Sequence, residues 1–225
     1  MSAMATGAVN TVTTGALTTS ASGSIFVVCC VGNTGGTRSV TDSKGNTYAL
    51  VTNGGPLTNT NSGYTVYIYA CVNGTGGASH TFTFNDSAQS VPGAFAFEIT
   101  GAATSSALDV DAGAGNTAGT PVNNPVTTTV TNDLVVSFCL DERLLDTPAI
   151  GGGFTSLLSE SNAVLGVSFG AGWKAAPTTG SYDPTYTVSA TKQCAVWTGA
   201  FKQLAGGAIP NNRGIYARIN RSIAG

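Results

Sequence analysis

Short apolar runs rich in β-formers recur along the chain at regular spacing, at residues 25–31, 47–52, 64–72, 81–84 and 94–100. Residues that tolerate a positive φ fill the gaps, in GNTGGT at 32–37, SKGN at 43–46, NGG at 53–55 and NGTGG at 73–77. The pattern predicts strands joined by tight turns and almost no helix. The segment YTVYIYA, 64–70, is apolar on both faces. It therefore predicts an internal strand covered on both sides, and with it a sandwich or barrel rather than an open sheet.

The second half of the chain repeats this plan. SGSIFVVCC, ending at Cys30, is answered by TNDLVVSFC, ending at Cys139, each behind a Thr-rich lead. Gly76, Phe82 and Phe84 match Gly180, Tyr186 and Val188 at one offset, and Phe95, Phe97 and Ile99 match Trp197, Gly199 and Phe201. The matches preserve strand and turn class more than identity. The expected fold is all-β, a jelly-roll-like β-sandwich of two pseudo-repeated halves, about 15–112 and 125–204. A segment 1–14 precedes this body of 15–204, and an extended C-terminal arm, 205–225, follows it. The rival arrangement is two small sandwiches in tandem, joined by the linker-like GAGNTAGTPVNNP at 113–125.

Charge narrows the chemistry. Only 9% of the 225 residues are charged and a single His is present, whereas an ordinary soluble domain is about one quarter charged. Cys29, Cys30, Cys71, Cys139 and Cys194 are odd in number, form no C-x-x-C pair and lie in or beside apolar runs. They read as reduced core thiols. GVSFG at 166–170 has the G-x-S-x-G form, but no His follows Ser168, so the order a nucleophile elbow needs is broken. His80 lacks a second His or Cys at ligand spacing and reads as the residue that opens the strand after it. Asp109 and Asp111 suggest a weak calcium loop, but the closing Glu is missing and a solvated turn is expected. Asp141, Glu142, Arg143 and Asp146 form the densest charge in the chain. Adjacent carboxylates diverge along an extended chain, so a solvated loop or subunit contact is expected there and not a glycosidase pair. No catalytic residue, metal site or cofactor is expected. The N-terminus lacks a basic, then apolar leader, and nowhere do about 18 apolar residues run together, which disfavours secretion and membrane insertion.

The net charge of −2 hides an asymmetry, because Arg213, Arg218 and Arg221 place a third of the positive charge in the last fifteen residues. Three Arg on a terminal segment are too few to predict a nucleic-acid surface. Ile215, Ile219 and Ile223 recur every four residues, which fits one stripe of a short helix or one face of an extended arm that also carries Tyr216. Either form needs a partner, since so short an element is unstable alone. Arg213, Ile215, Tyr216, Arg218, Ile219, Arg221 and Ile223 are therefore the expected partner-binding residues.

The segment SVTDSKGNTYALV, followed by YIYACV, FEITGA, the lead into DLVVSFC and then GGGFTSL, AGWKAA and VWTGAFK, resembles a β-rich virion-protein family of tailed bacteriophages. The resemblance covers roughly residues 15 to 203, and the arm lies beyond it. It implies a virion component, such as a capsid decoration or cement protein or a tail-associated module, assembled in the host cytoplasm. It also implies other virion proteins as partners, the major capsid or a tail protein, and a homo-oligomer of which a trimer is the common form. It carries over no catalytic residues. The competing expectation is a carbohydrate- or receptor-binding module of a tail or fibre, with Trp173, Tyr182 or Tyr186 as a stacking platform for a surface glycan.

Overall fold

The computed structural model describes all residues except 1, 5–8, 60–62, 91–92, 120–121, 142–146, 163–165, 189–192, 206–220 and 223–225. Every regular element among the described residues is a strand. The first nine are β1 (Ser2–Met4), β2 (Val9–Thr13), β3 (Ser24–Asn33), β4 (Arg38–Asp42), β5 (Ala49–Leu50), β6 (Leu57–Thr58), β7 (Tyr64–Gly74), β8 (Phe82–Ser90) and β9 (Gly93–Ile99). Next come β10 (Leu108–Ala118), β11 (Val122–Asn123), β12 (Val126–Thr128), β13 (Asp133–Asp141), β14 (Ala149–Ile150) and β15 (Thr155–Asn162). The chain ends with β16 (Val167–Ala176), β17 (Gly180–Tyr182), β18 (Thr185–Thr187), β19 (Gln193–Phe201) and β20 (Arg221–Ser222). Two compact units result, one of residues 1–51, 67–107 and 204–225, the other of 52–66 and 108–203.

In the first unit the main sheet runs β20-β1-β9-β3-β7-β5, and a second sheet runs β2-β8-β4. β3 and β9 are antiparallel, from Ile25 opposite Ile99 to Val31 opposite Gly93. Phe84 of β8 lies between Val12 of β2 and Val40 of β4. Strand alternation turns Val12, Val40, Phe82 and Phe84 to one face, where they join Phe26, Val28, Cys30, Tyr67, Tyr69 and Ala96 of the main sheet in one buried cluster. The other face of the smaller sheet carries Thr11, Thr13, Ser39, Thr41, Thr83 and Asn85, all exposed or half-buried. β3 instead is buried from Ser24 through Gly32. A strand covered on both faces needs a continuous apolar run, and SIFVVCCV supplies it.

In the second unit the main sheet runs β10-β19-β13-β16-β15, accompanied by β11-β18-β14 and β12-β17. β13 and β19 are antiparallel, from Leu134 opposite Phe201 to Asp141 opposite Cys194. Tyr186 of β18 sits between Val122 and Ile150. Cys139, Cys194 and Val196 form one cluster with Val122, Tyr186 and Val188, and Val135, Ala176 and Ala200 form another with Val126, Phe154 and Tyr182.

The expected runs at 25–31, 64–72 and 94–100 appear as β3, β7 and β9, while 47–52 shortens to Ala49–Leu50. β10 departs most from the sequence reading, because an eleven-residue strand, LDVDAGAGNTA, occupies the start of the supposed linker. Its small residues serve close packing: a Cβ on Gly113 would lie 2.1 Å from the Asn53 carbonyl oxygen, and one on Gly115 2.5 Å from that of Thr58. Here glycine marks backbone contact within a sheet assembly, not flexibility.

Candidate functional site

The densest polar constellation in the first unit is built by DSKGNTY, 42–48, the turn that follows β4. Asp42 is the last residue of β4, with its side chain wholly buried. Its Oδ1 accepts the backbone N–H groups of Lys44 and Asn46, both at 3.0 Å. Its Oδ2 accepts Asn46 Nδ2 at 2.6 Å, the Tyr48 hydroxyl at 2.7 Å and His80 Nε2 at 2.8 Å. Gly45, at φ +75°, allows the tight reversal. Asn46 then clasps Thr75, giving Nδ2–H to its carbonyl and accepting its N–H on Oδ1, each at 2.8 Å. Lys44 Nζ donates to the Ala78 carbonyl at 2.8 Å.

His80 is fully buried, stacked on Phe82 at 4.2 Å and edge-on to Phe26 at 4.8 Å. Burial opposes the charge on Asp42, but the hydrogen bonds from Asn46, Tyr48 and His80 outweigh it and hold its carboxyl at about 2. An ionised Asp42 can only accept, so Nε2 carries a hydrogen, while Nδ1 lies 3.0 Å from the Thr19 hydroxyl oxygen. The Thr19 oxygen in turn accepts the Gly77 N–H at 3.0 Å. Burial and the bond to Asp42 push the Tyr48 phenol far up, so it stays a donor.

Asp42, His80 and Thr19 thus stand in the carboxylate, imidazole, hydroxyl order of a hydrolase triad. The crevice beside Thr19, lined by Leu17, Thr18, Phe82, Ala96, Phe97 and Glu98, has room for about one water. The constellation ties the 42–48 turn to the lead into β8 and to the segment before β3.

Other candidates fall elsewhere. His80 does open β8, through a bridge to Leu17, although its burial and its Asp42 partner were not foreseen. Ser168 is fully buried within β16, paired with Asp141 and Ser161, so GVSFG forms no strand-to-helix elbow. Asp141 is also fully buried, because β13 continues through it opposite Ser168 and Cys194, which corrects the solvated loop expected there. Glu142, Arg143 and Asp146 lie outside the described residues. Asp109 and Asp111 belong to β10 and not to a turn. Asp111 accepts the Asn53 N–H at 2.8 Å and Trp197 Nε1–H at 3.2 Å. All five Cys are buried and unbridged, as expected. Of the supposed glycan platform, Tyr182 and Tyr186 are buried and Trp173 is half-buried.

Arg213, Ile215, Tyr216, Arg218, Ile219 and Ile223 of the arm lie outside the described residues. Arg221 opens β20, which runs parallel to β1 with Ser2 opposite Arg221 and Ala3 opposite Ser222. The arm thereby adds a strand to the edge of a sheet through its backbone.

The sequence reading also missed a polar groove of about 370 Å³ in the first unit, where Asn10, Thr11, Thr37, Ser39, Asn85 and Ser87 surround Arg38 and Asp86. Arg38 Nη2 lies 3.4 Å from Asp86 Oδ1, their side chains 6% and 0% exposed. The guanidinium sits 4.3 Å over the Tyr67 ring. Arg38 and Asp86 are directly opposite in the β4–β8 ladder, so only the strand register reveals the pair. Compared with protein-family models, curated proteins and solved structures, the chain matches none.

Proposed function

We propose that the chain is a non-enzymatic structural protein of a tailed-bacteriophage virion, a capsid decoration or cement protein that holds to its neighbours through subunit contacts and a C-terminal anchoring arm. The observation that carries this reading is β20: Arg221 and Ser222 reach the edge of the main sheet and pair with β1 in a parallel ladder. Strand addition of this kind needs no particular side chain on the acceptor, so an edge in another copy or in a capsid or tail protein suits the same arm. The resemblance of the body to phage virion proteins, the near-neutral body and the basic arm point the same way. The assembly is a homo-oligomer, with a trimer as the leading geometry, and nucleic acid and membrane are not its partners.

Behind this reading we place the rival arrangement, two small sandwiches in tandem, each of them jelly-roll-like. If β6 is set aside and the split strands β11/β12 and β17/β18 each count once, the main sheets follow one order, first-eighth-third-sixth-fifth, as β1-β9-β3-β7-β5 and β10-β19-β13-β16-β15. The accompanying sheets both follow second-seventh-fourth, as β2-β8-β4 and β11-β18-β14. Jelly rolls wrap in this way, apart from the fifth strand joining the sixth. Register supports the repeat as well. The sequence matches Ile25 with Leu134 and Ile99 with Phe201, and the ladders pair Ile25 with Ile99 and Leu134 with Phe201. Likewise Ser43 N–H bonds the Thr81 carbonyl at 3.0 Å, and Gly151 N–H bonds the Thr185 carbonyl at 2.6 Å.

The test is truncation after Ala205. The shortened protein is expected to fold with an unchanged circular dichroism spectrum and to be lost from purified particles. Normal incorporation would overturn the anchoring role. A second reading, a carbohydrate-binding module, is favoured by the hydroxyl- and amide-lined groove above Arg38 and Asp86, whose opposite charges suit a neutral glycan.

A further inference from the structure

Three ionisable side chains meet at one end of the β10-β19-β13 sheet. Lys202 directly follows β19, and the register that sets Leu134 opposite Phe201 brings Asp133 beside Lys202 from one neighbouring strand. From the other neighbouring strand Asp109 points Oδ1 to 3.9 Å from Lys202 Nζ. The Asp109 side chain is 1% exposed, Asp133 is 3% exposed, and the lysine side chain is one-third exposed at 33%. Thr129 grips Asp109 with its backbone N–H at 2.6 Å on Oδ2 and its hydroxyl at 2.5 Å on Oδ1.

Among the described residues no N–H or O–H donor reaches either oxygen of Asp133, whose carboxyl instead meets that of Asp109. Two carboxylates that face each other out of water must share a proton. Burial and then the neighbouring Asp109 push Asp133 up to about 7. Burial also opposes ionisation of Asp109, but the two Thr129 bonds outweigh it and hold Asp109 below the usual carboxylate range. The result is an amine, a carboxyl group and a protonated acid within mutual reach.

We propose that Lys202 and Asp109 condense into an intramolecular isopeptide bond, with Asp133 as the proton carrier. The proton of Asp133 passes to Asp109, and the Asp133 carboxylate then takes a proton from the Lys202 ammonium. The freed Nζ lone pair attacks Asp109 Cγ and forms the new C–N bond, while the Thr129 N–H holds the developing oxyanion on Oδ2 and the protonated Oδ1 becomes the departing hydroxyl. Asp133 moves the second nitrogen proton to the departing hydroxyl, the C–O bond breaks, and water leaves. One ammonium and one carboxylate become one amide and one water. Asp133 ends protonated, as it began, and neither oxidant nor cofactor enters. Fixed placement of both reactants replaces the activation that a free carboxylate would need. The bond would tie β10 to the end of β19, closing residues 109–202 into one covalent loop.

Intact-mass spectrometry of the purified full chain, denatured before measurement, tests the proposal independently of any particle. The expected mass is lower than that of the sequence by one water, and a proteolytic fragment should carry the segments of Asp109 and Lys202 joined. Lys202→Arg, which keeps the charge, and Asp109→Ala are expected to restore the full mass. Asp133→Asn leaves both reactants in place and should also stay uncondensed. A wild-type chain of full mass would overturn the bond, and condensation of Asp133→Asn at the wild-type rate would overturn the role of Asp133.

Discussion

A single carboxylate organises the turn that the sequence marks most strongly. In DSKGNTY the Gly and Asn positions announce a reversal, and the chain does turn there. What could not be read is why Asp42 stands first, because its decisive partner, His80, comes from another strand and register alone brings the two to 2.8 Å. With the Asp42 carboxyl held at about 2, below its unfolded value near 3.8, the folded state binds that proton less well than the unfolded state. The resulting stability is complete above the unfolded value and disappears as pH falls through about 2. One pKa unit corresponds to about 1.4 kcal/mol, so the contribution is about 2 kcal/mol. Asp42→Asn is expected to lose at least that much at pH 6, since a neutral amide leaves several of the five donors poorly matched. Urea titrations at pH 6 and pH 2.5 should find the gap between wild type and variant narrowing in acid; an unchanged gap would rule out the charge as its source.

Strands were legible where periodicity and turn chemistry agree. β3, β7 and β9 are long apolar runs between glycine-rich turns, and each lies within about two residues of its expected bounds. β4 and β10 were not legible, for different reasons. RSVTD is short and mostly polar because one of its faces meets solvent and its inward ends carry the charges of Arg38 and Asp42. LDVDAGAGNTA resembles a linker because small residues are what its packing requires. Gly113 is the sharpest case, with the Asn53 carbonyl oxygen 2.1 Å and a Leu57 methyl 2.7 Å from where a Cβ would stand. A backbone oxygen cannot swing aside as a long side chain can. Gly113→Ala is therefore expected to cost about 2 kcal/mol or more through overpacking. Gly45→Ala meets no atom within 4 Å and bears only the strain of φ +75°, a cost of about 1–2 kcal/mol. Thermal melts of the two variants should place Gly113→Ala lower; the reverse order would mean that the 52–58 segment does not press on β10.

At the scale of the molecule, scarcity of charge and burial of polar groups are two sides of one plan. A chain that is 9% charged keeps its ionisable side chains for ties between strands, and Asp42, Asp86, Asp133, Asp141 and His80 are all buried. The candidate chemistry was legible in the sequence only as isolated residues, because each tie joins strands distant along the chain. The apolar cores, by contrast, follow from strand alternation: one cluster lies around Phe26, Phe82 and Phe84, and others lie around Tyr186 and Tyr182. The thiols divide in the same way, with Cys29, Cys30 and Cys71 in the first unit and Cys139 and Cys194 in the second, all buried. Burial pushes the Cys29, Cys30 and Cys139 thiols well up, so alkylation reports opening and not intrinsic reactivity. Trp197 is fully buried on the strand between β10 and β13, and truncating such a side chain to Ala costs about 3–5 kcal/mol. Trp197→Ala should therefore release Cys139 and Cys194 to iodoacetamide in mild urea, where Cys29, Cys30 and Cys71 still resist, as peptide mapping of the labelled chain would record. Labelling of all five at one urea concentration would mean that the two cores open as one cooperative body.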